Sequence, residues 1–372
     1  MTKLSIFKIR QEKLVSELGC RSIGALILNP GSSLTYLTGL HFHLMERPIL
    51  AIFTKMYSPV FILPELEAAK LSSLPFPSTP FLYSEDPTTW QSIFSLAVKG
   101  VLTPDLQIAV EPTQMRVLEL EFLRNATQSS QIISDSDIIA SLRMVKDSTE
   151  IMAMRRAVDI AQTALNNILL TIRSGITERQ LASLLVLELI KAGSDPLFPF
   201  SPIVSGGTNS ANPHATPTDR PFQNGDLLVI DWGAKHNGYI SDITRTFAIR
   251  TIDKELKRIA EIVHQANSAG RRVIKPGVKA STVDKAARKI IQNAGYGEYF
   301  IHRTGHGIGM EGHEAPYIRQ DNNQQLEAGM TFTVEPGIYI PDRGGVRIED
   351  DVIVTESGAE SLSNLPRELI IL

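Results

Sequence analysis

Apolar positions in the first 140 residues come in short runs rather than one long stripe. ALILN (25–29), PILAIF (48–53), PVFILP (59–64) and QIAVE (107–111) are rich in branched side chains, which predicts strands. Residues 65–72 and 112–124 predict helices, and the proline-rich SLPFPSTPF (73–81) predicts a loop. Strands interleaved with helices in this order imply an α/β layer domain.

The pattern changes at Asp147. Ile151, Met154, Val158, Ala161, Leu165, Ile168 and Ile172 recur at three- and four-residue steps, the spacing of a helix face packed on a core. Asp147 followed by Glu150 predicts a capping box at the start of that helix. The change places a boundary near 140–147 and divides the chain into domains 1–140 and 141–372. The second part also repeats itself. Residues 173–198 match residues 275–300 at an offset of 102, pairing Gly175 with Gly277, Ala192–Gly193 with Ala294–Gly295, and Phe198 with Phe300. Two copies of an α+β half, with a site at their interface, are the expectation. A coincidence between two helices ending in Ala-Gly is the alternative.

Composition narrows the function classes. With 372 residues and 43% hydrophobic content the chain fills sizeable cores. A net charge of −3, from 37 basic and 40 acidic residues without a basic block, argues against nucleic acid or an anionic membrane as partner. Cys20 is the single cysteine, so an intrachain disulfide and a thiolate metal site are both excluded, and a reducing compartment is expected. MTKLSIFKIRQEKL at the N-terminus lacks a secretory apolar core, and LASLLVLELI (181–190) is too short to span a bilayer. A soluble cytoplasmic protein is expected.

The carboxylates carry the candidate chemistry. DLLVIDWGAKHNGYISDITRTFAI (226–249) predicts a hairpin around Asn237-Gly238. A two-residue turn or a four-residue loop there places Asp231 and Asp242 on one face, diagonal or opposite. Carboxylates so placed repel, and a divalent cation between them is the obvious remedy. A solvated pair is the alternative; Leu227, Val229 and Phe247, expected on the same face, argue against it. TFTVEPGIYI (331–340) adds Glu335, with Pro336-Gly337 ending the regular pairing, and GGVRIEDDVIV (344–354) adds Glu349. Alternation places Arg347 and Glu349 on one face of a strand and Val346 and Ile348 on the other. A glutamate in such an apolar run is costly unless paired, and an Arg347–Glu349 ion pair is a purely structural alternative.

GHGIGMEGHE (305–314) holds two histidines seven apart, His306 and His313. A zincin needs histidines four apart on one helix, and Gly305, Gly307 and Gly309 undermine a helix. The glycines are expected to let the backbone approach a metal or substrate. One imidazole with four carboxylates is an oxygen-rich set that suits manganese better than structural zinc. His214, in NPHATP (212–217), is a further loop histidine.

With these residues in view, the sequence resembles the pita-bread-fold metallopeptidases, in their prolidase and aminopeptidase P branch. The resemblance runs through FSPIVSGGTNSANPHATP, DWGAKHNGYISDITRTF, HRTGHGIGMEGHEAP, TVEPGIYI and GGVRIEDD, and SLTYLTGL (33–40) resembles the branch's smaller N-terminal domain. It implies an α+β protein with a C-terminal pita-bread catalytic domain, built on an internal pseudo-twofold repeat, and an N-terminal α/β creatinase-like domain. It implies two divalent metal ions, with Mn2+ first and Co2+ or Zn2+ as alternatives. Asp231 would bind one ion, His306 and Glu335 the other, and Asp242 and Glu349 would bridge them. His214, His313 and His302 would line the substrate side, Glu335 would shuttle a proton, and Arg347 would orient Glu349 or the substrate.

The implied activity is cleavage between an N-terminal residue and a following proline, with Xaa-Pro aminopeptidase placed ahead of Xaa-Pro dipeptidase. The implied partners are proline-containing peptides and a second copy of the chain in a homodimer. Methionine aminopeptidases, creatinase relatives and non-catalytic pita-bread modules fit less well, since the ligand set here is complete and the N-terminal domain present. HFHLMERP (41–48) is either an element that closes the cleft, through His41, His43 or Arg47, or an ordinary polar loop between strands.

Overall fold

The short apolar runs of the N-terminal part pair into one six-stranded sheet. The computed structural model describes residues 3–56, 58–102, 106–127 and 131–372, and they divide into two compact units, Met1–Arg143 and Met144–Leu372. In the first unit, β1 (Ala25–Leu28), β2 (Leu50–Thr54), β3 (Val60–Pro64), β4 (Thr79–Tyr83), β5 (Gln107–Val110) and β6 (Gln131–Ser134) lie in the order β4-β3-β2-β1-β5-β6. The inner strands are buried along nearly their whole length, which requires cover on both faces. Helices α1 (Lys3–Cys20), α2 (Ser32–Thr38), α3 (Pro87–Val101), α4 (Val117–Thr127) and α5 (Asp137–Arg143) complete this α/β unit.

Two expectations are corrected here. The proline-rich loop expected at 73–81 ends inside β4, which pairs in parallel with β3 and places Pro80 opposite Phe61. A proline is tolerated there because β4 is an edge strand, with no neighbour waiting for the missing N–H. The helix expected at 112–124 starts later, at Val117, and runs to Thr127. Residues 65–73 are helical as expected, in the tighter 3-10 form. The period reading also passes over α3, although its signals stand in the sequence. Asp86 caps it by accepting from Thr88 N at 3.0 Å, Pro87 opens it, and Trp90, Phe94, Ala97 and Val98 form its buried face.

The second unit is two similar halves. Helices α6 (Ser148–Ile168) and α7 (Glu178–Lys191) pack together in the first, and α8 (Lys254–Arg272) and α9 (Ala280–Asn293) in the second. Helix α6 starts on the expected capping box: Asp147 accepts from Thr149 N and Glu150 N, and Glu150 accepts from Asp147 N at 2.9 Å. The repeat read from sequence is structural, because α7 and α9 begin at 178 and 280 and end at 191 and 293. Left-handed glycines flank both copies, Gly175 and Gly193 at φ 95° and 99°, Gly277 and Gly295 at 82° and 88°. A side chain would be strained at these positions, which explains why both copies keep glycine there.

Strands β7 (Ile203–Gly206), β8 (Leu227–Trp232), β9 (Lys235–His236), β10 (Tyr239–Ile240) and β11 (Ile243–Ala248) belong to the first half. The second half contributes β12 (Gly305–Gly307), β13 (Glu314–Ile318), β14 (Thr331–Val334), β15 (Gly337–Ile340), β16 (Gly344–Arg347), β17 (Asp350–Thr355), β18 (Gly358–Ser361) and β19 (Ile370–Ile371). One sheet runs β19-β11-β8-β7, another β13-β12-β14-β17-β18, and β15 pairs with β16 as a separate ribbon.

A buried charge network ties the second half to the chain's end. Asp350 is fully buried; its Oδ1 accepts from Arg245 Nη2 at 2.8 Å and Ser363 Oγ at 2.7 Å, and its Oδ2 accepts from Arg367 Nε at 2.7 Å. Burial alone would raise the carboxyl, but Arg245 and Arg367 hold it down at about 2. A folded value below the unfolded one adds stability above pH ~4 that is lost as pH falls toward 2. The stability difference between the wild type and Asp350→Asn, followed by urea unfolding of chelator-treated protein, is expected to shrink by about 2–3 kcal/mol between pH 5 and pH 2.

Candidate metal centre

The hairpin around Asn237-Gly238 sets the position of the first two acids. Asn237 and Gly238 have φ of 52° and 82°, and His236 faces Tyr239 across a two-residue turn. The same register continues into β8 and β11, with Asp231 opposite Thr244. Asp242 lies two residues before Thr244 and is therefore diagonal to Asp231. One parity assignment is corrected: Phe247 pairs with Leu228 and faces away from the acids, whose neighbours on β11 are Thr244 and Thr246.

The other acids sit where the chain leaves a sheet. Glu335 lies between β14 and β15, and Glu349 between β16 and β17. The single strand expected over 344–354 is thus broken at Ile348-Glu349, where Glu349 N bonds Thr244 O at 3.1 Å. His306 is on β12 and His313 in the turn before β13. Two of the glycines around them, Gly305 and Gly307, are required by neighbouring backbone, a reason for glycine that the expectation above did not include. A Cβ on Gly305 would lie 1.8 Å from Thr333 O, and one on Gly307 would lie 2.2 Å from Ala315 O.

Asp231, Asp242, His306, Glu335 and Glu349 all line one cavity of about 700 Å³, together with His214, His302, Arg303, His313 and Arg347. Asp242, His306 and Glu349 offer ligand atoms that lie within 4.8 Å of one another. His306 Nε2 is 3.3 Å from Glu335 Oε1 and 3.7 Å from Asp242 Oδ2. Burial and the proximity of Glu349 and Asp231 push the Asp242 carboxyl well above the carboxylate range. Burial and Glu335 do the same to Glu349. Glu335 is lifted by burial to about 7, against the pull of Arg347.

His306 decides what these acids need. Burial first, then the His313 ring, lowers it to about 3, so it is a neutral imidazole. Its Nδ1 lies 3.2 Å from Gly307 O, a pure acceptor, so the proton is on Nδ1. The Nε2 lone pair therefore faces Glu335 and Asp242, and lone pairs facing carboxylates require a cation or a shared proton between them. Asp231 Oδ1 is buried with no hydrogen-bond partner among the described residues. Buried oxygens in excess, one neutral imidazole held by a carbonyl, and an unpartnered carboxylate oxygen fit divalent cations.

Arg347 pairs with Asp231, through Nη2 to Oδ2 at 2.6 Å, and not with Glu349 as the structural alternative had it. It reaches Glu349 only through Thr244: Arg347 Nε donates to Thr244 Oγ1 at 3.0 Å, and that hydroxyl donates to Glu349 Oε2 at 2.6 Å. Arg347 Nη1 donates to Tyr339 Oη at 2.9 Å, and His302 Nε2 lies 3.0 Å from the same oxygen. His302 Nδ1 bonds Arg303 O at 2.7 Å, and burial lowers the ring to about 4. Both its nitrogens are thus engaged within the protein. His313 is exposed, with its ring 4.2 Å from that of His306. His214 is exposed on a loop whose start is fixed by buried Glu178, which accepts from Gly206 N at 2.7 Å and Thr218 N at 2.9 Å.

Sequence reasoning missed Thr244, Tyr339 and Asp351. Thr244 was readable, since the two-residue turn places it opposite Asp231. Asp351, whose Oδ2 accepts from Asp242 N at 3.0 Å, carried no signal beyond its place in an acidic pair. In the N-terminal unit, Arg47 binds Glu85 at 2.8 Å, and Lys70 donates to His41 O at 3.0 Å.

Residues 152–356 match the model of metallopeptidase family M24, and residues 10–145 match the creatinase/prolidase N-terminal domain. The chain is 37% identical to an Xaa-Pro dipeptidase of Lactobacillus delbrueckii subsp. lactis, covering 97% of this chain and 98% of that one. Its fold is similar to a prolidase from Thermococcus sibiricus, with TM-score 0.93, 35% identity, and coverage of 98% and 99%. It is also similar to an X-Pro aminopeptidase from Thermotoga maritima, with TM-score 0.84, 30% identity, and coverage of 97% and 99%.

Replacing Thr244 by valine keeps its shape and removes the hydroxyl between Arg347 and Glu349. Divalent-cation affinity, measured by competition with a chelating dye, is expected to fall by roughly 10–100-fold.

Proposed function

The chain belongs to metallopeptidase family M24, and from that premise we propose that it hydrolyses the peptide bond between an N-terminal residue and a following proline, with two divalent cations bound. The observation that carries this reading is the convergence of four carboxylates on one neutral, buried imidazole in a peptide-sized cavity. The relatives named for dipeptide cleavage shift the weight from Xaa-Pro aminopeptidase, placed first on sequence, to Xaa-Pro dipeptidase. The aminopeptidase reading keeps support from the Thermotoga relative.

In this reading Asp231, Asp242, His306, Glu335 and Glu349 would hold the cations, Asp231 on one side of the site, His306 and Glu335 on the other, and Asp242 and Glu349 in common. The oxygen-rich set favours manganese. Once bound, such a pair supplies Lewis-acid polarisation of the scissile carbonyl and a water acidified to near neutral pH.

The protein's own groups supply the rest. Glu335, buried and pinned by Thr333 Oγ1 at 3.3 Å from Oε1, is the group placed to take a proton and pass it to the leaving nitrogen. His313 is held against the His306 ring, where a neutral imidazole N–H can donate to an oxygen gaining charge. His214 offers a second donor from the loop fixed by Glu178. Arg347 holds Asp231 through Oδ2 at 2.6 Å, on the wall of the cavity. None of the described helices is long and apolar enough to cross a membrane. A cytoplasmic homodimer completes the proposal, and the exposed, unpaired Cys20 suits a reducing compartment.

Asp242→Ala is expected to lose both stoichiometric metal binding, read by elemental analysis after desalting, and turnover; a fully active variant refutes the shared-ligand role. Protein loaded with manganese or cobalt is expected to release alanine from Ala-Pro. If neither Ala-Pro nor Ala-Pro-Ala is cleaved, the proline-specific reading fails.

A further inference from the structure

The cavity has two arginines in its wall, and they differ in one respect. Arg347 is 3% exposed and donates to Asp231, Thr244, Tyr339 and Pro213 O. The guanidinium of Arg303 makes no hydrogen bond and no ion pair among the described residues. It lies over the Tyr317 ring at 4.7 Å from the centroid. Stacking fixes the plane of the fork and leaves its edge for an acceptor. The charge of Arg303 acts on His306, His313 and Glu335, which places it close to the proposed reaction centre.

The missing partner is an anion, and the four cavity carboxylates do not supply it: one is bound by Arg347, and all four are assigned to cations. A peptide with its scissile carbonyl at the cations presents its next backbone carboxyl group one residue further on, about 3.8 Å of chain. In a dipeptide that group is a free carboxylate, the planar two-oxygen acceptor that a guanidinium edge matches. In a longer peptide it is a neutral amide, which leaves the half-buried cation without a counter-charge.

We propose that Arg303 is a specificity-determining residue that binds the free carboxylate one residue beyond the scissile bond, so that the cavity selects Xaa-Pro dipeptides over longer peptides. This rests on the Xaa-Pro peptidase reading above. Preorganisation by Tyr317 limits the ordering cost of the contact. Because the contact is made by a residue three before His306, recognition of the chain end is coupled to placement of the scissile bond.

The test compares Ala-Pro with Ala-Pro amide, which differ only in the terminal charge, using manganese-loaded full-length protein. The wild type is expected to favour Ala-Pro in kcat/KM. Arg303→Gln is expected to reduce that preference by about tenfold or more, chiefly through KM for Ala-Pro, and Arg303→Lys to recover part of it. The preference is a ratio, so a smaller folded fraction does not change it. Should the variant cleave neither substrate, binding decides: proline, but not prolinamide, is expected to raise the melting temperature of the wild type and to lose that effect in Arg303→Gln. An unchanged ratio, or an unchanged proline shift in an inactive variant, overturns the carboxylate anchor and leaves the peptidase reading standing. A wild type that cleaves neither substrate overturns both.

Discussion

Four carboxylates facing a neutral imidazole below the protein surface are stable only with positive charge among them. Without a cation, burial and mutual repulsion lift Asp242 and Glu349 far above the carboxylate range and Glu335 to about 7. The surrounding protein is arranged around that repulsion. Arg347 neutralises Asp231 through a buried contact of 2.6 Å, and Arg245 donates to the carbonyl oxygens of both Thr244 and Glu349. These contacts hold the acids in position before any cation arrives, so the ordering cost of the site is met by folding rather than by metal binding.

The duplicated halves explain how the acids meet. The first half supplies Asp231 and Asp242 from one hairpin, and the second supplies His306, Glu335 and Glu349 from strands that end or break at those residues. A regular strand would alternate its side chains between two faces. Leaving the sheet at Glu335 and again at Glu349 frees both from that constraint and turns them into the cavity. Gly305 and Gly307 allow the tight strand packing that brings His306 alongside.

Within the site, the buried hydrogen-bond chain Arg347–Tyr339–His302 leaves His302 with no free nitrogen, whereas His313 and His214 remain exposed. A division of labour follows from these environments. Buried groups that have partners position the acids, and in the proposed reading His313 and His214, exposed and with no hydrogen bond to their rings among the described residues, meet the peptide. Arg303, half-buried and stacked on Tyr317, leaves its guanidinium without a hydrogen-bond partner among the described residues, and under the proposal above the choice between dipeptide and longer substrates turns on it.

Much of this was legible in the chain. The period of α6, its capping box, the offset of 102 and the Asn-Gly turn follow from local rules, because helix spacing, caps and left-handed glycines are set by neighbouring residues. The nine candidate site residues were also readable and line one cavity. What the sequence left open concerns contacts between distant segments. Proline in β4 is acceptable only because that strand is an edge, which the sheet order decides. Whether Arg347 binds Glu349, two residues away, or Asp231, 116 residues away, depends on the packing of β16 against β8. Gly305 and Gly307 of GHGIG, read as room for a ligand, also make room for the backbone of Thr333 and Ala315. Sequence determined which groups carry the charge; tertiary structure decided which charge faces which, because that depends on distances the chain acquires only when its strands pack.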